Sequence, residues 1–276
     1  MLRCSLRVVC TMALAILVFA VGVPTAEATV TTMSTCGSCG FQTWSAADLN
    51  NNGVPFFDGP SADGGNRNIG HYLTGTGGSF TPAELTDSPM QAVNYYGTPI
   101  ASTGGAADNY WFHVEPIAGF NGKLVLEIAG LADLNRFGWY KKGDSSASSR
   151  TVLLNGAAGP GATVSFTPTA DFGFFLESGE GNLFFTESSL NSVQSWQHFA
   201  LFSNDSQKFW MAVEDKQLLG ERSAVNGGYR YGDFNDLVVR FEEVPEPATF
   251  GTAALTLLAL GLMRRRMRKS GAHTDA

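Results

Sequence analysis

The stretch from Asn109 to Glu243 constrains the fold most, because short apolar runs alternate with turn-forming residues along its length. The runs are rich in branched and aromatic residues, and Gly, Pro, Asn and Asp separate them, which is typical of β-strands. We predict strands at Tyr110–Val114, Lys123–Ile128, Phe137–Tyr140, Thr151–Leu154, Thr163–Phe166, Phe172–Leu176, Leu183–Phe185, Trp196–Ser203, Lys208–Glu214 and Asp236–Glu242. No long helical period interrupts the series. It therefore predicts an all-β fold, an antiparallel β-sandwich of the jelly-roll or Ig-like kind.

The composition favours the same fold class and excludes one class of binding partner. The chain has 32 Gly residues, 12% aromatic residues and only 16% charged residues, which suits a sheet protein with many turns. Between Thr29 and Pro247 there are 11 basic against 23 acidic residues, a formal net charge of −12. Nucleic acid is an unsuitable partner for such a segment, because phosphate neutralisation needs Lys and Arg. Cations and neutral glycans remain compatible.

The N-terminus has the three parts of a secretory signal peptide. Arg3 and Arg7 form a basic region, residues 8–23 are apolar, and Ala26-Glu27-Ala28 places small residues at the positions before a cleavage site. Export across the inner membrane is therefore expected, with cleavage after Ala28. The alternative is a membrane anchor that is retained.

The C-terminus combines a short motif, an apolar run and a basic cluster. Pro245, Glu246 and Pro247 precede an apolar run at residues 248–263, and residues 264–269 are strongly basic. At 1.5 Å per residue the run spans about 24 Å, which predicts a transmembrane helix slightly shorter than a bilayer core of about 30 Å. The basic cluster is expected to stay cytoplasmic.

This C-terminal pattern resembles the PEP-CTERM sorting domain of Gram-negative bacteria. The resemblance implies that an exosortase-type membrane enzyme recognises Pro245-Glu246-Pro247 and removes the tail. The mature protein would then reach the cell surface or the extracellular matrix of a biofilm. The alternative is a plain tail anchor in which the motif has no role.

The sequence thus divides into five parts. We predict a signal peptide at 1–28, a Gly- and Asn-rich region with loops and short strands at 29–108, and the β-sandwich domain at 109–243. The sorting tail follows at 244–269, and a short polar tail at 270–276.

Cys36 and Cys39 are the cysteines that remain after signal removal, because Cys4 and Cys10 lie within the signal peptide. Outside the cytoplasm such a pair predicts a disulfide. A redox motif would require a preceding strand and a following helix, and a zinc site would require further ligands that no second Cys pair supplies.

Two acidic motifs near the end of the domain carry the most chemical information. Glu214 and Asp215 lie at the end of one predicted strand, and Asp233, Asn235 and Asp236 lie at the start of the last one. The two motifs resemble those of an uncharacterised bacterial β-sandwich family with Asp-[Tyr/Phe]-Asn-Asp-[Leu/Val]-Val near its end. Asn135-Arg136-Phe137-Gly138 is similar to a second motif of that family, whose members often have PEP-CTERM tails.

These five side chains offer oxygen atoms and no His or Cys, which favours Ca²⁺ over transition metals. We expect a structural calcium ion if the two strands are neighbours. The alternative is that Asp233, Asn235 and Asp236 hydrogen-bond to turn backbones, as Asp and Asn commonly do.

The sequence shows no motif that requires catalysis. It contains no nucleophile elbow, no zinc-protease helix and no phosphate-binding loop. His113 and His198 lie in aromatic runs and are expected to be structural. A structural or adhesive role in the envelope or matrix is therefore our first hypothesis. The alternative is a domain that binds or hydrolyses glycans, with Trp139, Tyr140 and Trp196 as contacts or Glu177 and Glu180 as acids.

Overall fold

The computed structural model describes residues 29–44, 57, 68–75, 93–97, 109–115, 119–191, 197–204, 208–216 and 232–244. These residues belong to one compact unit, Ala28–Val244. The predicted signal peptide, transmembrane helix and sorting motif lie outside the described residues. Among the residues that are described, no helix has the length and apolar character needed to cross a membrane.

The described residues form thirteen strands and one short α-helix. The strands are β1 (Thr29–Ser34), β2 (Gly40–Trp44), β3 (Val93–Gly97), β4 (Tyr110–Glu115), β5 (Gly119–Glu127), β6 (Arg136–Lys141), β7 (Arg150–Asn155), β8 (Thr163–Phe166), β9 (Phe172–Glu177), β10 (Leu183–Phe185), β11 (Phe199–Ser203), β12 (Lys208–Val213) and β13 (Leu237–Val244), with α1 at Ile69–Thr74. The strand at each predicted apolar run is confirmed, with ends shifted by a few residues.

The strands build two antiparallel sheets. The first has the order β1-β4-β9-β6-β7, with β10 added on β9, and the second has the order β2-β3-β11-β12-β13-β5-β8. All their pairings are antiparallel. The predicted all-β, antiparallel sandwich-like class is therefore confirmed, whereas the choice between jelly-roll and Ig-like topology stays a prediction.

An aromatic core joins the two sheets face to face. The ring of Phe112 on β4 lies 5.6 Å from that of Phe241 on β13, and Phe174 on β9 lies 4.9 Å from the same ring. Phe209 on β12 stacks on Phe241 at 5.1 Å. All four rings are fully buried. Because burial of each large apolar side chain contributes about 1.5–3 kcal/mol, this layer is a main source of stability.

The N-terminal region contributes to the same two sheets. β1 pairs with β4 in the first sheet, and β2 and β3 extend the second sheet beside β11. The sandwich therefore includes described parts of both sequence-predicted regions, 29–108 and 109–243.

A short helix in the N-terminal region was not predicted. The sequence predicts only loops and short strands between residues 29 and 108, whereas the structure has a buried helix, α1, at Ile69–Thr74. Asn68 caps its first turn by accepting a hydrogen bond from the backbone of His71, whose ring accepts one from the backbone of Asn68. The apolar side of α1 packs with residues of the second sheet, including Phe202 and Trp210.

Candidate metal centre

Three buried carboxylates meet where β12 ends and β13 begins. One side-chain oxygen from each of Glu214, Asp215 and Asp236 lies within 4.8 Å of the others. The three residues are only 2%, 5% and 3% exposed. The two acidic motifs, which are about twenty residues apart in sequence, are therefore brought together as the calcium hypothesis requires.

The register of the sheet explains this meeting. β12 and β13 are antiparallel neighbours, and Val213 pairs with Leu237. The residues directly after Val213 and directly before Leu237 must then lie side by side. Phe209–Val213 of β12 and Leu237–Val239 of β13 are buried without interruption, so the polar residues at the adjoining strand ends are drawn into a buried position.

Hydrogen bonds fix the carboxylates of Asp215 and Asp236. The backbone N–H of Asp215 donates to Oδ2 of Asp236 at 2.7 Å. The side-chain amide of Asn135 donates to Oδ2 of Asp215 at 2.9 Å. Each of the two carboxylates uses one oxygen in these hydrogen bonds, and each offers one oxygen to the group of three.

Asp233 and Asn235 lie in the turn that leads into β13, and both are buried. Asp233 is outside the group of three carboxylates, although its charge acts on Asp236. Its backbone carbonyl accepts a hydrogen bond from Ile69 at 2.7 Å, which ties the turn to α1. Phe234 between them has φ of 52°, a left-handed conformation that few non-glycine residues adopt.

Gly232 packs directly against the Glu214 carboxylate. A Cβ atom at position 232 would collide with Oε2 of Glu214. The lack of a side chain at this position therefore lets the turn close over the acidic group.

Electrostatics at this site disfavour three ionised carboxylates. Burial raises the pKa of Asp236 well above its ordinary value, and the charges of Glu214, Asp215 and Asp233 raise it further. The hydrogen bond from the Asp215 backbone acts in the opposite direction and is the smaller effect. A proton or a cation is needed to offset the crowded negative charge.

Glu127 is a further acidic residue of this region, which the sequence analysis did not assign to the site. It ends β5 and pairs in register with Leu237, directly after Asp236. Its Oε1 atom is buried and accepts no hydrogen bond from the part of the chain that the structure describes. Burial, Asp133 and Asp215 together raise the pKa of Glu127 to about 7.

Asn135 is the other residue without an assigned role in the sequence analysis. It is fully buried; its amide donates to Asp215 while its Oδ1 accepts from the backbone N–H of Gly179 at 2.9 Å. The Asn-x-Phe-Gly motif marked this position, but only the fold shows that it holds a carboxylate of the acidic group. We use the name acidic centre for the three carboxylates and the acidic and amide residues around them: Glu214, Asp215 and Asp236 with Glu127, Asp133, Asp233, Asn135 and Asn235.

No family of known proteins, no curated protein and no solved structure matches this chain.

The other predicted site residues lie elsewhere. Cys36 and Cys39 form a disulfide in the turn between β1 and β2, with their Cα atoms 5.3 Å apart. The sorting motif, Pro245, Glu246 and Pro247, lies outside the described residues.

The histidines of the sandwich make structural contacts. His198 is buried, its ring stacks on Phe184, and its Nδ1 lies 3.1 Å from the backbone carbonyl of Glu214. Burial lowers the pKa of His198 to about 4, so the ring is neutral at pH 7. His113 lies 2.7 Å from a carboxylate oxygen of Asp171 at the surface.

Of the residues proposed for glycan contact, the two aromatic ones that the structure describes do not form an exposed platform. Tyr140 is fully buried, and Trp139 packs against the core. Trp196 lies outside the described residues. Glu177 lies 3.7 Å from Arg136, and Glu180 accepts a hydrogen bond from Asn182 in an exposed turn.

Proposed function

We propose that this chain is an exported envelope or extracellular-matrix protein whose β-sandwich is stabilised by a calcium ion at the acidic centre. The observation that carries the proposal is the meeting of the Glu214, Asp215 and Asp236 carboxylates in a buried position. The protein serves a structural or adhesive purpose, and its sandwich is a cation-dependent support rather than a catalyst.

Burying an ionised carboxylate costs free energy unless its charge is offset. An isolated buried carboxylate loses its hydration and either takes up a proton or pairs with a positive group. Within the described residues, the hydrogen bonds to Asp215 and Asp236 come from neutral amides, which do not cancel their charge. A divalent cation would offset the repulsion among the three carboxylates and would keep them ionised.

The donor set favours calcium. Carboxylate and amide oxygens are hard ligands, and Ca²⁺ accepts six to eight of them in flexible geometry. Glu214, Asp215 and Asp236 would be the central ligands. Asp233 and Asn235 adjoin them in the turn, and carbonyl oxygens and water would complete the shell.

Processing at both ends is the second part of the proposal. The compact unit runs from Ala28 to Val244, so its limits lie next to the predicted signal cleavage site and the start of Pro245-Glu246-Pro247. This agreement supports removal of the two flanking segments by a signal peptidase and an exosortase-type enzyme. The folded unit would then be the mature protein, placed at the cell surface or in a polysaccharide matrix.

A melting experiment tests the calcium proposal. The protein is stripped of metal, and its thermal unfolding is recorded with chelator, with magnesium and with calcium. We expect calcium to raise the melting temperature, because a ligand that binds only the folded state adds about 2.7 kcal/mol at a hundredfold excess over its dissociation constant.

Two variants give the controls. Asp236→Ala should abolish the calcium response, whereas Glu180→Ala, which removes an exposed acid outside the acidic centre, should retain it. Equal melting temperatures for the wild-type protein with and without millimolar calcium would show that the carboxylates form only a hydrogen-bonded turn.

A further inference from the structure

β1 is an edge strand whose outer side has no strand partner among the described residues. The first sheet has the order β1-β4-β9-β6-β7, so β1 pairs with β4 on one side only. All six of its residues pair with β4 without a register shift. Thr31 and Met33 are exposed, the latter by 42%. β1 therefore presents a regular row of backbone groups at the surface.

The hydrogen bonds next to β1 show which of its backbone groups point outward. The N–H of Thr35 donates to the carbonyl of Asn109 at 3.2 Å, directly after the pair of Ser34 with Tyr110. Hydrogen-bonded and non-hydrogen-bonded pairs alternate along an antiparallel ladder. In agreement, the N–H of Tyr110 is turned away from β1 and donates to Thr186. The odd-numbered residues of β1 therefore bond to β4, and the N–H and C=O groups of residues 30, 32 and 34 face outward.

The sequence of β1 lacks the features that protect edge strands from pairing. It reads Thr-Val-Thr-Thr-Met-Ser and contains no charged residue, proline or glycine. Edge strands are otherwise blocked by charges, prolines, bulges or short length. The other edges of the described sheets have such features. β7 has Arg150 and a register shift, β8 and β10 have only four and three residues, and β2 has five and starts at Gly40.

We propose that β1 pairs with β1 of a second copy of this chain, so that the first sheets of two molecules form one continuous antiparallel sheet. A two-fold axis at Thr32 places this residue opposite the partner's Thr32, and places residue 30 opposite residue 34 of the partner. All three outward-facing residues then form hydrogen-bonded pairs. Such an interface is self-complementary and closes as a dimer. From the proposed function, the inference takes only the removal of residues 1–28, after which β1 is the N-terminus of the chain.

The charges around β1 permit this approach. The titratable residues of the neighbouring strand β4 are His113 and Glu115; His113 contacts Asp171, and Lys142 lies over the ring of Trp111. In the joined sheet the two β4 strands are three strand spacings apart, about 14 Å. This distance exceeds the Debye length of about 8 Å at physiological salt, so repulsion between them is largely screened. Two short strands bury less area than the roughly 1,200–2,000 Å² of a stable interface, so the dimer should be weak and concentration-dependent.

Sedimentation of the exported protein, purified from its native host, tests the pairing. We expect the wild-type mass to rise from that of one chain towards twice that value as the concentration increases. Thr32→Pro should stay monomeric over the same range, because proline removes the outward N–H and leaves the bonds to β4 in place. Thr32→Val keeps the N–H and is the matched control, which should dimerise like wild type. A monomeric wild type at millimolar concentration, or equal dimerisation of Thr32→Pro, would overturn the proposal.

Cross-linking tests the register and does not require the proline variant to fold. Thr31→Cys and Met33→Cys are made in separate chains; both positions are exposed, and the native Cys36–Cys39 pair is disulfide-bonded. The two-fold axis places residue 31 of one copy opposite residue 33 of the other, with their Cα atoms about 4.5 Å apart and within reach of a disulfide.

A mixture of the two cysteine variants should therefore cross-link several-fold more than either variant alone. No cross-linking, or equal cross-linking in the mixture and in the single variants, would overturn the pairing. The intact mass of each purified protein shows whether residues 1–28 have been removed. Failure of the proposed export is thus distinguished from failure of the pairing.

Discussion

At the residue scale, the calcium proposal depends on buried carboxyl groups that the fold brings close to one another. Asp236 and Glu127 both have raised pKa values, and burial is the largest cause in each case. In the absence of a cation, their neutral forms are favoured in the folded state. The stability that the protonated forms contribute is therefore fully present at low pH and is lost as the pH rises through the folded-state pKa.

This reasoning predicts a pH-dependent effect of Glu127→Gln in the presence of chelator. The pKa of Glu127 is raised from 4.5 to about 7, so the wild-type carboxyl is neutral in the folded state near pH 4.5 and ionised above pH 7. Glutamine keeps the shape and carries no charge. The variant should therefore gain stability relative to wild type as the pH rises from 4.5 to above 7, as measured by chemical denaturation.

Two comparisons make that result specific. The neutral His198, whose pKa is lowered to about 4, destabilises the fold at acid pH in both proteins, so its contribution cancels. Glu180→Gln, which makes the same replacement at an exposed position outside the acidic centre, is the matched control. A constant difference between wild type and Glu127→Gln across this range would contradict the buried-acid account.

At the element scale, β6 shows how closely the strands approach one another. The register between β6 and β7 shifts between Phe137 and Gly138. A Cβ atom at position 138 would collide with the carbonyl oxygen of Thr151 and lie 2.7 Å from the ring of Phe175. The Thr151 oxygen belongs to the backbone and cannot yield without moving β7, and the Phe175 ring is buried in a packed core.

Gly138→Ala should therefore destabilise the domain by about 1–3 kcal/mol through overpacking. Gly130→Ala is the matched control, since no atom of the described residues lies within 4 Å of a Cβ at that position. Urea unfolding of both variants measures the difference. Equal stability of the two would show that Gly138 has more room against β7 and the Phe175 ring than these contacts indicate.

The elements also show what the sequence could and could not predict. The strands from Tyr110 onward were predictable because branched and aromatic residues between turn formers specify extended structure locally. The helix at Ile69–Thr74 was not predictable, because six residues are too few to show a helical repeat of apolar positions. Its N-cap, Asn68, also pairs with a histidine and not with the Glu or Gln of the usual capping box. Glu214, Asp215, Asp233 and Asp236 were predicted from the two motifs, whereas Glu127 and Asp133 were missed. The place of Glu127 depends on the register of β5 against β13, which the sequence does not show.

At the scale of the whole molecule, the limits of the folded unit agree with the predicted processing sites. Both flanking segments can be removed without loss of a described strand, because β1 begins at Thr29 and β13 ends at Val244. Mass spectrometry of protein from its native host should give an N-terminus near Thr29 and no peptides beyond Phe250. Recovery of peptides covering residues 264–269 from surface protein would contradict processing by a sorting enzyme.

The central claim concerns the whole molecule as well, because a cation at the acidic centre would join β12, β13 and the end of β5. Calorimetric titration of the metal-stripped protein with calcium tests it most directly. The account predicts one calcium ion per chain, with proton release that makes the heat depend on the buffer, and no binding by Asp236→Ala. Wild-type protein that takes up no calcium at millimolar concentration, or an Asp236→Ala variant that binds it equally well, would contradict the account.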